Sequence, residues 1–243
     1  MLSFASSPED AIVLERAGKI SAARLHYGKW LEENRGSQEY LRILFHLASL
    51  SDTARDALAL LNSHSVNLPP MQSAVIFARM AALESLIGLP GEAARHYELA
   101  SGIGGKAGEL YLLDSTKLKF VMGAFSEARE TALRLVNSAQ AVIVRDEAAA
   151  IAALSLAYMG GGDDALEELL RYSSASGAIS TPYFWLATLD IAQSYGYASA
   201  EAMRALTSNF SNSTAEHIAK GRILRWGIPG ALLESIATRV EPR

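Results

Sequence analysis

The feature that most restricts this chain is a glycine ruler. Gly18, Gly88, Gly123 and Gly160 are separated by 70, 35 and 37 residues, and each carries similar neighbours at fixed offsets. Five residues after the glycine stand Ala23, Ala93, Ala128 and Ala165. Four further on come Tyr27, Tyr97, Ala132 and Leu169, and three beyond those Trp30, Ala100, Leu135 and Tyr172. Seven residues before the glycine the chain is always small: Ala11, Ala81, Thr116 or Ala153. The longest gap holds a worn copy, "LSDTARDALALL", around Asp52. Two more copies lie near Gly196 and Gly227, where Ala202 and Ala231 miss the offset by one.

Such a pattern describes a helix, a tight turn and a second helix, with apolar residues at three-and-four spacing. The glycine closes the first helix, where a left-handed backbone is cheap only for glycine. Pro90 and Pro229 fall just past it, where a second helix can begin without a donor N–H. The following alanine faces back across the turn, where two backbones approach too closely for a larger side chain. A lone hairpin cannot bury its apolar face, so the units must stack. Ser7, Pro8 and Asp10 supply a cap, a first-turn proline and a first-turn acid for the opening helix. Pro69 and Pro70 break the chain before the third unit without disturbing the register.

A period near 34 residues with these small, glycine, alanine and bulky positions resembles the tetratricopeptide repeat, and the resemblance covers nearly the whole chain. It implies an all-α, right-handed superhelical solenoid of about six to seven hairpins. Residues 1–243 would form a single domain, with turns near Gly18, Asp52, Gly88, Gly123, Gly160, Gly196 and Gly227. The large aromatic usual early in the first helix is mostly missing; Phe77 comes nearest.

The composition narrows the possible partners. There are 22 basic and 26 acidic residues, interspersed, for a formal net charge of −4; no basic stripe suits nucleic acid. No apolar run approaches the roughly 18 residues of a membrane span. Cysteine is absent, which excludes disulfides and thiol chemistry and leans toward an exported, envelope-located protein. The opening "MLSFASSPED" lacks a basic start and a full apolar core, although it could be the tail of a signal peptide.

Three segments invite a chemical reading. The histidines, His26, His46, His64, His96 and His217, show no metal-ligand spacing; His26 and His96 precede equivalent tyrosines and should share an outer face. "ASGIGGKAGEL" fails as a phosphate loop, with Ala100 and Ala107 at two required positions, and reads as a flexible connection between repeats. "GGGDDALEE" places Asp163, Asp164, Glu167 and Glu168 in the opening turns of a helix, where acids complement the helix dipole. A metal-dependent all-helical enzyme built on Asp163, Asp164 and Glu167 is the alternative, but no second acidic motif faces them. No cofactor is expected.

In the repeat family, residues two, three, six, ten and thirteen before the turn glycine line the inner wall. From Gly123, Gly160 and Gly196 these include Lys117, Phe120, Leu154, Tyr158, Tyr183, Leu186, Asp190 and Gln193. Of the Lys, Asn and Arg set with which some relatives hold a peptide carboxylate, Lys117 alone has a counterpart. The resemblance therefore implies a non-catalytic adaptor or assembly factor that takes a protein or peptide segment in an apolar groove. Phe120, Tyr158 and Tyr183 would anchor it, with Lys117 and Asp190 flanking. Alternatively, a tight superhelix packs these side chains on one another. A homo-oligomer that receives its own terminal helix is a third arrangement.

Overall fold

A computed structural model describes residues 7–173, 181–191, 204–213, 215–216 and 218–219. Among them there is no strand. The order is α1 (Pro8–Arg16), α2 (Ile20–Glu33), α3 (Tyr40–Ser49), α4 (Ala54–Ser63), α5 (Pro70–Leu86), α6 (Pro90–Ile103), a 3₁₀ turn at Gly105–Ala107, α7 (Gly108–Val121), α8 (Phe125–Ser138), α9 (Val142–Tyr158), α10 (Gly162–Ser173) and α11 (Pro182–Ile191). Five helix pairs are thus joined at Gly18, Asp52, Gly88, Gly123 and Gly160, as the spacing predicts. The turns expected at Gly196 and Gly227 lie outside the described residues. The chain packs as two compact units, Met1–Ser115 and Thr116–Arg243.

The four glycine turns share one hydrogen-bond scheme. Gly18 has φ 73°, Gly88 80°, Gly123 83° and Gly160 95°. In each, the glycine N–H donates to the carbonyl three residues back, and the next N–H donates to the carbonyl five back. At Gly123 these bonds are Gly123 N to Phe120 O at 3.0 Å and Ala124 N to Lys119 O at 3.0 Å. Orphan carbonyls at the helix end are thereby satisfied, which is the Schellman arrangement. The turn at Asp52 has no glycine, and Thr53 caps α4 instead by accepting from Asp56 N at 3.1 Å. Ser7 does the same for α1, accepting from Asp10 N at 3.2 Å.

The small positions behave as the pattern requires. Ala11, Ala81, Thr116 and Ala153 before the turn, and Ala23, Ala93, Ala128 and Ala165 after it, are all fully buried. Ala57, at the same offset from Asp52, is buried too. In the first unit Tyr27, Leu31, Tyr40, Leu44 and Leu61 form the centre of the core. In the second, α9 is the hub, packing against α8, α10 and α11. Val144 and every residue from Asp146 to Ser155 are buried, so the middle of α9 has no solvent face.

Two expectations need correction. The "GIGGKAGEL" segment is not a loose connection. A Cβ at Gly104 would lie 2.6 Å from Ala100 O, and one at Gly108 would lie 2.6 Å from Ser101 O, so both glycines are demanded by close approach. His96 is not on an outer face. It is buried against Glu84, Nδ1 to Oε2 at 2.7 Å, and its ring stacks on Phe77. A buried polar group needs such a partner, and the pair ties α6 back to α5. His26 is half-buried.

Candidate functional site

The second unit gathers the three aromatic residues singled out from the sequence, Phe120, Tyr158 and Tyr183, together with Phe125, which the sequence pattern does not single out. Phe120 arrives from the end of α7, Phe125 from the start of α8, Tyr158 from the end of α9 and Tyr183 from the start of α11. Phe120 lies 5.5 Å from Phe125, 5.7 Å from Tyr158 and 6.4 Å from Tyr183 between ring centroids, and meets both tyrosines edge-on. Lys117 pairs with Glu147, Nζ to Oε2 at 3.2 Å, and sits 5.8 Å above the Tyr183 ring. These sequence-predicted residues do come together.

They do not form an open strip of anchors. Phe120 is 3% exposed, Tyr183 2%, and Leu154 and Leu186 are fully buried. Helix α11 packs on α9, and rings of neighbouring helices fill the space in which a ligand would have to lie. Tyr158 is the exception among the predicted anchors, at 38% exposure, with its ring stacked 4.7 Å from Phe125. The Asp190 side chain and Gln193 lie outside the described residues.

What stays exposed is the elbow itself. Val121 and Met122 precede Gly123, and Tyr158 and Met159 precede Gly160; all four are exposed. In the first unit Leu86 and Ile87 hold the same places before Gly88 and are exposed as well. The signal was present in the sequence, as an apolar pair directly ahead of each of these turn glycines. The inner-wall offsets took in only one member of each pair.

A second concavity lies in the first unit. Ile12, Glu15 and Arg16 of α1, Tyr27 of α2, and Arg42, Ile43 and His46 of α3 line a pocket of 220 Å³. Glu15 Oε2 accepts from the Tyr27 hydroxyl at 3.1 Å and lies 2.8 Å from His46 Nε2. The His46 hydrogen bond holds the Glu15 carboxyl below the usual glutamate range, with the Tyr27 bond helping and burial opposing. Burial, with the Glu15 hydrogen bond behind it, pushes the Tyr27 phenol up to about 12. Glu15 therefore stays a carboxylate and Tyr27 a donor at neutral pH. Counted back from Gly18, Arg16, Glu15 and Ile12 occupy the inner-wall offsets two, three and six, so the same ruler could have found them.

The acidic segment has other employment. Glu168 takes a forked ion pair from Arg129, with both N···O distances 2.8 Å, and Arg129 also donates to Ala152 O at 2.9 Å. Glu167 pairs with Arg171 at 2.9 Å, and Asp164 is exposed. The Asp163 side chain is outside the described residues. Among the described residues no three histidine, aspartate or glutamate side chains converge as a metal site. Of the acids in the enzyme alternative, Glu167 faces Arg171, which competes with a cation. His64 lies 2.6 Å from the Tyr40 hydroxyl, and burial lowers its pKa, so its neutral ring can accept from Tyr40. His217 is outside the described residues. Among the described residues, no helix is long and apolar enough to cross a membrane.

No family model matches the chain. No curated protein matches it in sequence. Among solved structures, one of Pseudomonas aeruginosa PilF, from a functional characterization of that protein, superposes with a TM-score of 0.48 and 14% identity over 88% of this chain and 95% of that one.

Proposed function

We propose that the chain is a non-catalytic protein-interaction module. Its contact surface in the second unit would be the pair of apolar elbows rather than the inward faces of the first helices. The carrying observation is the exposure of Val121, Met122, Tyr158 and Met159 beside a packed aromatic cluster. Exposed apolar patches on a rigid support are characteristic of surfaces that meet another protein. Here the support is the Phe120, Phe125 and Tyr183 cluster, which fixes Tyr158 and lowers the entropy cost of using it as an anchor. The tetratricopeptide-like register points the same way, because stacked helical hairpins serve widely as scaffolds for partner proteins. Lys117, engaged with Glu147, would act on the shape of this region more than as a direct contact.

The test is affinity capture from the native source with wild-type bait, a Val121→Ser/Met159→Ser bait and a Phe120→Leu bait. The elbow variant should keep its melting temperature and lose the captured partner. The Phe120→Leu variant should lose stability and keep the partner at temperatures where it is folded. Equal capture by wild type and the elbow variant would sink the elbow assignment.

A further inference from the structure

The pocket of the first unit carries an inference separate from the elbows. Its walls are chemically divided. Ile12 and Ile43 supply apolar surface, Glu15 a carboxylate, and Arg16 and Arg42 guanidinium groups, while the Tyr27 hydroxyl and the His46 ring complete the lining and are already engaged with Glu15. Both hydrogen bonds to Glu15 end on Oε2, which leaves Oε1 with none among the described residues. Arg16 likewise has no ion pair or hydrogen bond among the described residues. Arg42 is held by Glu39 through a single contact at 3.1 Å, so further donors remain on its fork.

A ligand must answer this set as a whole. A simple anion would meet the arginines but face Glu15, which is kept ionised. A simple cation would meet Glu15 but face the arginines. A purely apolar molecule would strip water from charges of both signs without replacing the lost hydrogen bonds. At 220 Å³ the pocket is also smaller than the roughly 300–1,000 Å³ of sites for drug-sized ligands and cofactors.

We infer that the Ile12–Glu15–Arg16–Arg42–Ile43 pocket binds an aliphatic α-amino acid unit. The α-ammonium group would sit on Glu15 Oε1, the carboxylate or carbonyl oxygen on Arg16 and Arg42, and the side chain between Ile12 and Ile43. Tyr27 and His46, which also line the pocket, hold the Glu15 carboxylate in place through Oε2. The same chemistry is presented by a free amino acid and by the first residue of a peptide.

Isothermal titration calorimetry on the full chain tests this with four probes: L-leucine, N-acetyl-L-leucine, L-leucine amide and the dipeptide Leu-Gly. Leucine should give a saturable isotherm. Acetylation, which removes the ammonium charge, should weaken binding by about tenfold or more. Glu15→Gln should weaken leucine to the same extent, while Lys29→Gln, on an exposed surface pair, should change nothing. Arg16→Gln should shrink the difference between leucine and its amide. Leu-Gly binding as well as leucine assigns the site to a peptide N-terminus; preference for leucine assigns it to the free amino acid. Equal binding of leucine and N-acetyl-leucine, or no saturation up to the solubility limit of leucine, overturns the inference. Because the acetyl comparison uses the wild-type chain, that result stands even if Glu15→Gln fails to fold.

Discussion

Replacing Phe120 by alanine separates a packed core from an open groove. The ring is 3% exposed, so nearly all of its transfer free energy is at stake, about 1.5–3 kcal/mol. It also touches Phe125, Tyr158 and Tyr183 at centroid distances of 5.5, 5.7 and 6.4 Å. Aromatic pairs of this kind add about 0.5–1.5 kcal/mol each beyond area burial, although three pairs on one ring do not sum fully. Three stiff neighbours leave little room for the site to collapse, so a cavity remains. The expected loss is about 3–5 kcal/mol, the range typical of Phe→Ala in a core. Tyr158→Ala should be milder, about 1–2 kcal/mol. Tyr158 is 38% exposed and shares two of these rings, so water enters where the side chain was. Urea unfolding followed by circular dichroism, with unchanged m-values, gives both numbers. If Phe120→Ala falls within about 0.5 kcal/mol of wild type, the ring is a surface residue, and the burial argument for this cluster fails.

The remaining predictions probe the turn, the small positions and one buried acid. Gly123→Ala should destabilise by about 1–2 kcal/mol although a Cβ there meets nothing within 4 Å, because the penalty lies in φ 83°; D-alanine introduced by semisynthesis should remove that loss, and equal melting temperatures for the two enantiomers would refute the account. Ala93→Leu should cost about 1–3 kcal/mol in urea unfolding, since the site is fully buried between two helices, whereas Ala17→Leu at an exposed position should stay within about 0.5 kcal/mol. Asp146 is buried with Oδ2 unpartnered, and burial raises its pKa while Arg145 opposes. A raised carboxyl pKa means the folded state holds its proton to higher pH than the unfolded chain, so folding is penalised at neutral pH and relieved as pH falls toward the ordinary aspartate value. Asp146→Asn should therefore stabilise the protein at pH 7, with the gain vanishing in acid; a gain independent of pH would contradict the desolvation account.

The hairpins were legible because they rest on local rules. A glycine with positive φ and an alanine at the crossing, with Pro90 two residues past Gly88, are each enforced within a few residues, and Gly18, Ala23, Gly88 and Ala93 can be read without knowing the neighbours. The site was only partly legible, because exposure depends on what packs alongside. Phe120 and Val121 are adjacent in sequence, yet the first is buried by Phe125, Tyr158 and Tyr183 while the second faces solvent. An offset from the turn fixes the direction in which a side chain leaves its helix. It does not fix how close the next helix comes. His96 escaped for a related reason: its Glu84 partner lies on the preceding helix, and a buried pair looks in sequence like two surface residues. The pocket around Glu15 depends on α3 to close it, so Arg42 and His46 carried no signal of their own.

The burial of α9 bears on how such a protein can diverge. From Asp146 to Ser155 every side chain faces protein, so nearly any enlargement there collides with α8, α10 or α11. Along a lineage these positions should change slowest, and only in step with their neighbours. The elbows carry less restraint: Val121, Met122 and Met159 are exposed, and of the four elbow residues only Tyr158 leans on the aromatic cluster. Substitution rate and functional importance are then uncoupled in the second unit. On the proposed elbow reading, the most invariant stretch would be the buried one, and a change of partner would be recorded in the most variable.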